Sequence, residues 1–162
     1  MKIAKVRDVK TPVRGTEKSA GIDFFVPNDF HEKILLPQCD LLIPSGIKAD
    51  VPKGYMLMAA DKSGVVTSKG AVIATGREPK PEAFKSIVTL GAKIVDEDYQ
   101  GEIHIHLVNV GYNDVVIKPG MKIAQFILVP VLYDTIEEVP EAELFSKVTE
   151  RGDGGFGSTG NE

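Results

Sequence analysis

The stretch EIHIHLVNVG, residues 102–111, carries the clearest structural signal in the chain. Its apolar residues Ile103, Ile105 and Leu107 alternate with two histidines, which is the period of a pleated strand with one buried face. Other runs of strand length are rich in valine and isoleucine, and proline and glycine steps such as PSG, PKG and KPG separate them. The sequence therefore predicts an all-β protein of the sandwich, jelly-roll or barrel type.

Two segments depart from this strand pattern. PEAELFSK, residues 140–147, has a helical pattern, and it is short. GREPKPEAFKS, residues 76–86, is polar and contains two prolines, so it predicts an exposed loop inserted between strands. A loop of this kind is either a solvated insertion or a functional segment.

Composition limits the possible functions. The 162 residues suffice for one domain, and no apolar run reaches the length that spans a bilayer, so we expect a cytoplasmic protein without a membrane partner. The net charge of −4 lacks the basic excess that stable nucleic-acid binding requires. The single cysteine, Cys39, cannot form an internal disulfide, and we interpret it as a small apolar filler.

The most informative candidate site is IVDEDYQGEI, residues 94–103, where acidic residues surround Tyr99. On a strand or tight hairpin Asp96 and Asp98 would share a face, which suits a general base. A solvated acidic turn explains the same spacing equally well.

Three weaker signals lie elsewhere in the chain. Asp23 follows a glycine and precedes an apolar strand, which is also typical of a structural turn. The segment from Lys62 to Gly64 suits an anion, but it has neither the Walker nor the dinucleotide-binding pattern. Gln125 lies in an otherwise apolar strand, where its amide needs a partner from the backbone or from a ligand.

Taken in order, five segments resemble the five motifs of the trimeric dUTPases, the deoxyuridine triphosphate nucleotidohydrolases. They are SAGIDFFVP, KSGVV, GAKIVDEDYQGE, GMKIAQFILVPV and RGDGGFGSTG, and together they span residues 19–160. The resemblance implies a jelly-roll-like β-sandwich that assembles as a homotrimer with shared active sites. It also implies Mg²⁺-dependent hydrolysis of dUTP to dUMP and pyrophosphate, which limits uracil in DNA and supplies dUMP for thymidylate synthesis.

The same resemblance implies a role for individual residues. Asp96 would deprotonate the water that attacks the α-phosphorus, and Tyr99 would pack against the deoxyribose and so reject UTP. Ile94 lies in the hairpin of residues 90–95, whose backbone groups would read uracil. Asp23 would act more remotely, through water at the metal or by bracing the site. The residues expected near the phosphates are Lys62, Ser63, Gly64 and Gln125.

The resemblance divides the chain into a β domain, residues 1–150, and a mobile C-terminal motif, residues 151–162, that closes the active site. Arg151 would engage the γ-phosphate through two parallel hydrogen bonds. Phe156 would stack on uracil. The remaining tail residues expected to contact substrate are Gly157, Ser158 and Thr159.

Three lysines depart from the family pattern. Lys62 and Lys122 stand where the family usually or often has arginine, and lysine lacks the planar fork for bidentate phosphate contacts. Lys93 stands at a place in the third motif that is generally glycine, so we expect backbone strain there. Together with the insertion at 76–86, Lys93 affects the expected base recognition more than the expected hydrolysis.

Several other functions fit parts of the sequence. A dCTP deaminase shares the scaffold, but Asp96 together with Tyr99 argues against it. A broader deoxynucleoside triphosphate pyrophosphatase and a partner-binding module on the same fold remain open. A metal site at His104 and His106 would need further ligands, because His31 is distant in sequence and two ligands are too few.

Overall fold

The computed structural model describes residues 1–62 and 88–154, and the chain divides into two compact units, Met1–Leu132 and Tyr133–Glu162. The predicted loop at 76–86 lies outside the described residues. Within them there are twelve strands and one short helix, α1, at Glu141–Leu144. The strands are β1 Lys2–Lys5, β2 Val13–Arg14, β3 Ile22–Phe25, β4 Lys33–Leu35, β5 Asp40–Pro44, β6 Ile47–Asp50, β7 Tyr55–Ala60, β8 Val88–Leu90, β9 Ile94–Val95, β10 His104–Asn109, β11 Val115–Ile117 and β12 Lys122–Pro130.

All of the strand pairs are antiparallel, and they form two principal sheets in the first unit. One has the order β2-β3-β12-β7-β9, and the other has the order β5-β10-β8. Two smaller pairs, β1-β6 and β11-β4, complete the strand set of the described residues. The predicted all-β class is therefore confirmed.

One hydrophobic core joins the two principal sheets. Phe24 on β3 and Phe126 on β12 pack with ring centroids 4.5 Å apart, and the same core includes Ile105 and Leu107 of β10. The alternation predicted for residues 102–111 is confirmed, because Ile105 and Leu107 are each 1% exposed whereas His104 points to solvent. Sheets with one apolar face bury it in this way against a second layer.

The turn chemistry of the sequence is also confirmed. Gly46 in the PSG step and Gly120 in the KPG step have φ of +73° and +74°, a region that favours glycine. The predicted helix is present but shorter than residues 140–147. Cys39 is exposed, so its interpretation as a buried filler is wrong. It lies in the turn that enters β5, where its backbone N–H donates to the carbonyl of Leu36.

One finding in the structure bears on the prediction that the protein has no membrane partner. No helix among residues 1–62 and 88–154 is long and apolar enough to cross a membrane.

Candidate active site

A buried carboxylate on β3 is held between two lysines. Asp23 is 5% exposed, and its two oxygens each accept a hydrogen bond of 2.8 Å, from the ammonium groups of Lys62 and Lys122. Burial disfavours the charged carboxylate, but the hydrogen bonds and charges of the two lysines outweigh it and hold the pKa of Asp23 below its usual range. The structure thus joins three sequence-predicted positions into one ionic cluster, in which the lysine charges are already partly neutralised.

A second ionic cluster centres on Glu102, whose carboxylate oxygen Oε1 accepts from Arg7 Nε at 2.8 Å and from the Gly46 amide at 2.7 Å. Burial again opposes ionisation, and the bonds from Arg7 and Gly46 lower the pKa of Glu102 overall. The sequence analysis missed this role, since Arg7 lies 95 residues away and no local pattern connects the two side chains.

These two carboxyls predict an acid-dependent loss of stability. A group whose folded pKa is depressed contributes its full stability above its unfolded pKa, near 3.8 for Asp23 and 4.5 for Glu102, and loses it as the pH falls through the lower folded value. We therefore expect the free energy of unfolding, measured by urea denaturation, to fall as the pH is lowered from 5 to 3. Asp23→Asn should lower that free energy by about 2 kcal/mol at pH 7 and make the acid dependence shallower.

The matched control for this titration is Asp50→Asn, which changes an exposed carboxyl on β6. Its denaturation profile should follow that of the unmodified protein. An Asp23→Asn profile parallel to the control would contradict the coupling between Asp23 and the two lysines.

Gln125 lies beside this cluster on β12. It is opposite Asp23 on one side and Ala60 on the other, and its Nε2 donates to the carbonyl of Asp61 at 3.0 Å. The sequence left open whether the Gln125 amide bonds to the backbone or to a ligand, and the structure shows a backbone carbonyl as its partner. Gly21 permits this arrangement, because a Cβ there would lie 2.2 Å from Gln125 Oε1.

The acidic segment of the third motif forms a tight turn after β9. The amide of Tyr99 donates to the carbonyl of Asp96 at 3.3 Å, and Asp96 and Asp98 are both exposed. Glu97 points the other way, and its carboxylate accepts the amide of Gly54. The turn therefore has one acidic side chain that anchors it and two that face solvent.

Tyr99 packs back over this turn. Its hydroxyl donates to the carbonyl of Glu102 at 2.9 Å, and a Cβ at Gly101 would lie 2.3 Å from the hydroxyl oxygen. Only glycine fits at position 101 with the ring in this place. The side chain of Glu102 is held by Arg7 and Gly46, and its backbone carbonyl in turn holds the Tyr99 hydroxyl.

A cavity of about 150 Å³ opens next to this turn. It is lined by Ile94, Val95, Asp96, Tyr99, Ile103 and His104. The structure thus brings together three of the predicted site residues, Ile94, Asp96 and Tyr99. Asp98 is not among the lining residues.

Lys93 does not strain the backbone, so that expectation is wrong. Among the described residues other than glycine, Gln38 alone has a positive φ. The carbonyl of Lys93 accepts the Ala59 amide at 2.6 Å, which anchors the start of β9 on β7. A backbone without positive φ at this position accepts a side chain without the freedom of glycine.

The histidines of β10 have ordinary partners. His106 Nε2 lies 2.9 Å from a carboxylate oxygen of Asp40, and His104 Nδ1 lies 2.9 Å from the carbonyl oxygen of Glu102. Within the part of the chain that the structure describes, no group of three or more potential ligands could hold a metal ion.

The tail is described only as far as residue 154. In the second unit, Arg151 is exposed and its Nε donates to the carbonyl of Gly154 at 2.7 Å. The other predicted substrate contacts lie outside the described residues: Ser63, Gly64, Phe156, Gly157, Ser158 and Thr159.

The solvent-facing carboxylate beside a small cavity and the lysines around a separate carboxylate are groups that a hydrolase of a small phosphorylated molecule can use. Comparison with known proteins identifies the family. A family model described as dUTPase matches residues 75–160. A deoxyuridine 5′-triphosphate nucleotidohydrolase of Hydrogenobaculum sp. (strain Y04AAS1) is 33% identical over 159 residues, covering 98% of this chain and 96% of that protein. The chain belongs to the dUTPase family.

Two solved structures agree on the fold. The dUTPase of Staphylococcus bacteriophage 80alpha with dUPNHPP has a TM-score of 0.75 at 23% identity, covering 98% of this chain and 97% of that one. A variant of the dUTPase from phage phi11 of S. aureus, described with a structural Mg(II) ion, has a TM-score of 0.67 at 20% identity, covering 86% and 96%.

Proposed function

We propose that Asp96 is the general base with which this chain hydrolyses dUTP to dUMP and pyrophosphate. Membership of the dUTPase family supplies the reaction, and one observation carries the residue assignment: Asp96 and Tyr99 line the same cavity. In the proposed step Asp96 takes a proton from water, the water oxygen bonds to the α-phosphorus, and the bond from that phosphorus to the bridging oxygen breaks. Pyrophosphate then leaves.

The cavity beside Asp96 is the proposed position of the sugar and base. The ring of Tyr99, fixed by its bond to the Glu102 carbonyl, would lie against the deoxyribose and clash with a 2′-hydroxyl. Ile94 lies in the adjoining short strand, whose backbone groups would read the uracil edge. A base pocket of this size selects by shape and by a few hydrogen bonds.

The ionic cluster at Asp23 is the proposed support for the triphosphate. The ammonium group of Lys62 has three N–H donors, and one of them is bonded to Asp23. The other two can donate to phosphate oxygens. Gln125 also keeps one amide N–H beyond its bond to Asp61 and would assist near the α-phosphate. Ser63 and Gly64 would donate in the same region, as the family motif implies.

The residues fit Mg²⁺ as an ion carried by the substrate. Both oxygens of Asp23 already hold lysines, so direct ligation would break an ion pair, and contact through water is the arrangement that remains. Magnesium retains several waters and binds chiefly to phosphates in such sites. The bound ion would neutralise charge on the triphosphate during attack.

A homotrimer with shared active sites is the proposed assembly. In such an assembly a shared site would take the Asp23 cluster from one copy and Asp96 with Tyr99 from another. The second unit leaves large apolar side chains open to solvent in a single copy, Ile136 at 99% and Val148 at 94%. Such exposure is typical of surfaces that associate. A cytoplasmic location stays a prediction.

The test is a substrate panel. Purified protein with Mg²⁺ should release pyrophosphate from dUTP and should leave UTP, dCTP and dTTP unchanged, as resolved by chromatography. Deoxyuridine nucleotides formed from dCTP would indicate a deaminase, turnover of several deoxynucleotides would indicate a broader pyrophosphatase, and no turnover would indicate a binding module. In the same panel, Tyr99→Ala should gain activity on UTP.

A further inference from the structure

Asp61 links the two principal sheets through its side chain. It directly follows β7 of the five-stranded sheet, but its carboxylate reaches β8 of the three-stranded sheet. Oδ1 accepts the Leu90 amide at 2.7 Å, and Oδ2 accepts the Thr89 hydroxyl at 2.9 Å. Among the described residues β8 is the edge strand of the order β5-β10-β8, and the carboxylate bonds to that edge.

The backbone of Asp61 is bonded to a neighbour of the Asp23 cluster in the same chain. Its carbonyl accepts Gln125 Nε2 at 3.0 Å, and Gln125 is the register partner of Asp23 on β3. The next residue, Lys62, pairs with Asp23 at 2.8 Å. Asp61 therefore connects the Asp23 cluster of a chain to the strand that leads into the proposed base pocket of the same chain.

The segment after β8 crosses from one sheet to the other within three residues, 91–93. Its first end is held on β10, where the Gly91 amide donates to the His106 carbonyl at 2.9 Å. Its second end is held on β7, where the Lys93 carbonyl accepts the Ala59 amide. A crossing of three residues held at both ends leaves few backbone dihedrals between β8 and Ile94 that could absorb a displacement of β8.

We propose that Asp61 is a positioning residue for base selection: its carboxylate fixes the end of β8 and so sets where the backbone of residues 91–95 meets the base. This rests on the proposed function, which places the base at that segment. Loss of the carboxylate would free the edge of β8 and widen the pocket, and the group that a tight uracil pocket excludes is the 5-methyl of thymine. A methyl group distinguishes ligands by about 10-fold or more in an apolar pocket.

The experiment compares binding of the α,β-imido analogues of dUTP and dTTP, which differ only in that methyl, by calorimetry with Mg²⁺. Asp61→Ala should reduce the ratio of the two affinities at least about 10-fold. Asp61→Asn should keep the ratio within about threefold, since its amide oxygen still accepts the Leu90 N–H and its NH₂ donates to the Thr89 hydroxyl. Asp8→Ala, at an exposed position outside this network, should match the unmodified protein.

Hydrogen exchange of the Leu90 amide gives a readout that does not depend on substrate. Exchange should accelerate in Asp61→Ala and not in Asp61→Asn. An unchanged affinity ratio in Asp61→Ala, with both analogues weakened equally, would overturn the proposal and leave Asp61 a purely stabilising role, as would unchanged exchange at Leu90. Failure of the unmodified protein to hydrolyse dUTP would instead count against the proposed function, and the exchange and binding results would still decide the role of Asp61.

Discussion

Asp96→Asn should lower kcat for dUTP by about 10²- to 10⁴-fold, which is the range that a positioned general base contributes. Asparagine keeps the size of the side chain and can still hydrogen-bond the attacking water, but it cannot accept the proton as the water oxygen bonds to phosphorus. Binding of α,β-imido-dUTP should change by less than about threefold, because the substitution alters the chemical step more than the ground state.

The Asp98→Asn variant tests whether hydrolysis depends on one specific base or on the acidity of the whole turn. Both carboxyls are exposed in the same turn, and the sequence allowed either interpretation, but Asp96 alone of the two lines the cavity. Steady-state kinetics should therefore show a loss of less than about tenfold for Asp98→Asn. Equal losses in the two variants would contradict the assignment of Asp96 and favour an effect of net charge on the metal–triphosphate complex.

The fold was predictable from sequence because its signals are local. The alternation at Ile103, Ile105 and Leu107 reports one buried face, and glycine after proline or lysine reports a turn. Asp96 and Tyr99 were also found within a single short stretch. These features depend on residues that are neighbours along the chain, so one sequence suffices to detect them.

The supporting contacts could not be predicted in this way, because they join distant parts of the chain. The partners of Glu102, Arg7 and Gly46, lie 95 and 56 residues away, and Asp61 reaches 29 residues ahead to Leu90. The strain expected at Lys93 was wrong for a related reason. Whether a glycine position requires positive φ depends on the register of β9 against β7, which fixes the backbone there.

The Asp23 cluster gives Lys62 a partner that the sequence did not predict. Lys62 was expected to bind phosphate, and it is instead paired with a buried carboxylate before any substrate arrives. A lysine held in this way loses little rotamer freedom on binding, which reduces the entropic penalty of a phosphate contact. The carboxylate that lowers the net charge of the cluster therefore also positions its donors.

Cutting the chain after Glu150 should leave a folded homotrimer whose kcat/KM for dUTP has fallen at least about 10²-fold, the scale of losing one preorganised donor at a reacting phosphate or carbonyl group. Every strand of the described residues lies within Met1–Leu132, so the truncation removes none of the observed sheet pairing. What it removes is Arg151 and the glycine-rich segment that the family motif assigns to the γ-phosphate and the base, together with the exclusion of water that their approach would bring.

The truncation is best compared with two matched variants. A chain ending at Gly160 loses only the two residues after the motif and should keep full turnover. Arg151→Lys keeps the positive charge but loses the planar guanidinium group. Its turnover of dUTP should therefore lie between that of the truncated and that of the unmodified protein. Size-exclusion chromatography with light scattering compares the assembly of each variant with that of the unmodified protein. Undiminished turnover in the chain cut after Glu150 would show that the tail does not contribute to the reaction, and the phosphate contacts would then have to come from the β domain, where Lys62 and Lys122 are the cations already gathered around Asp23.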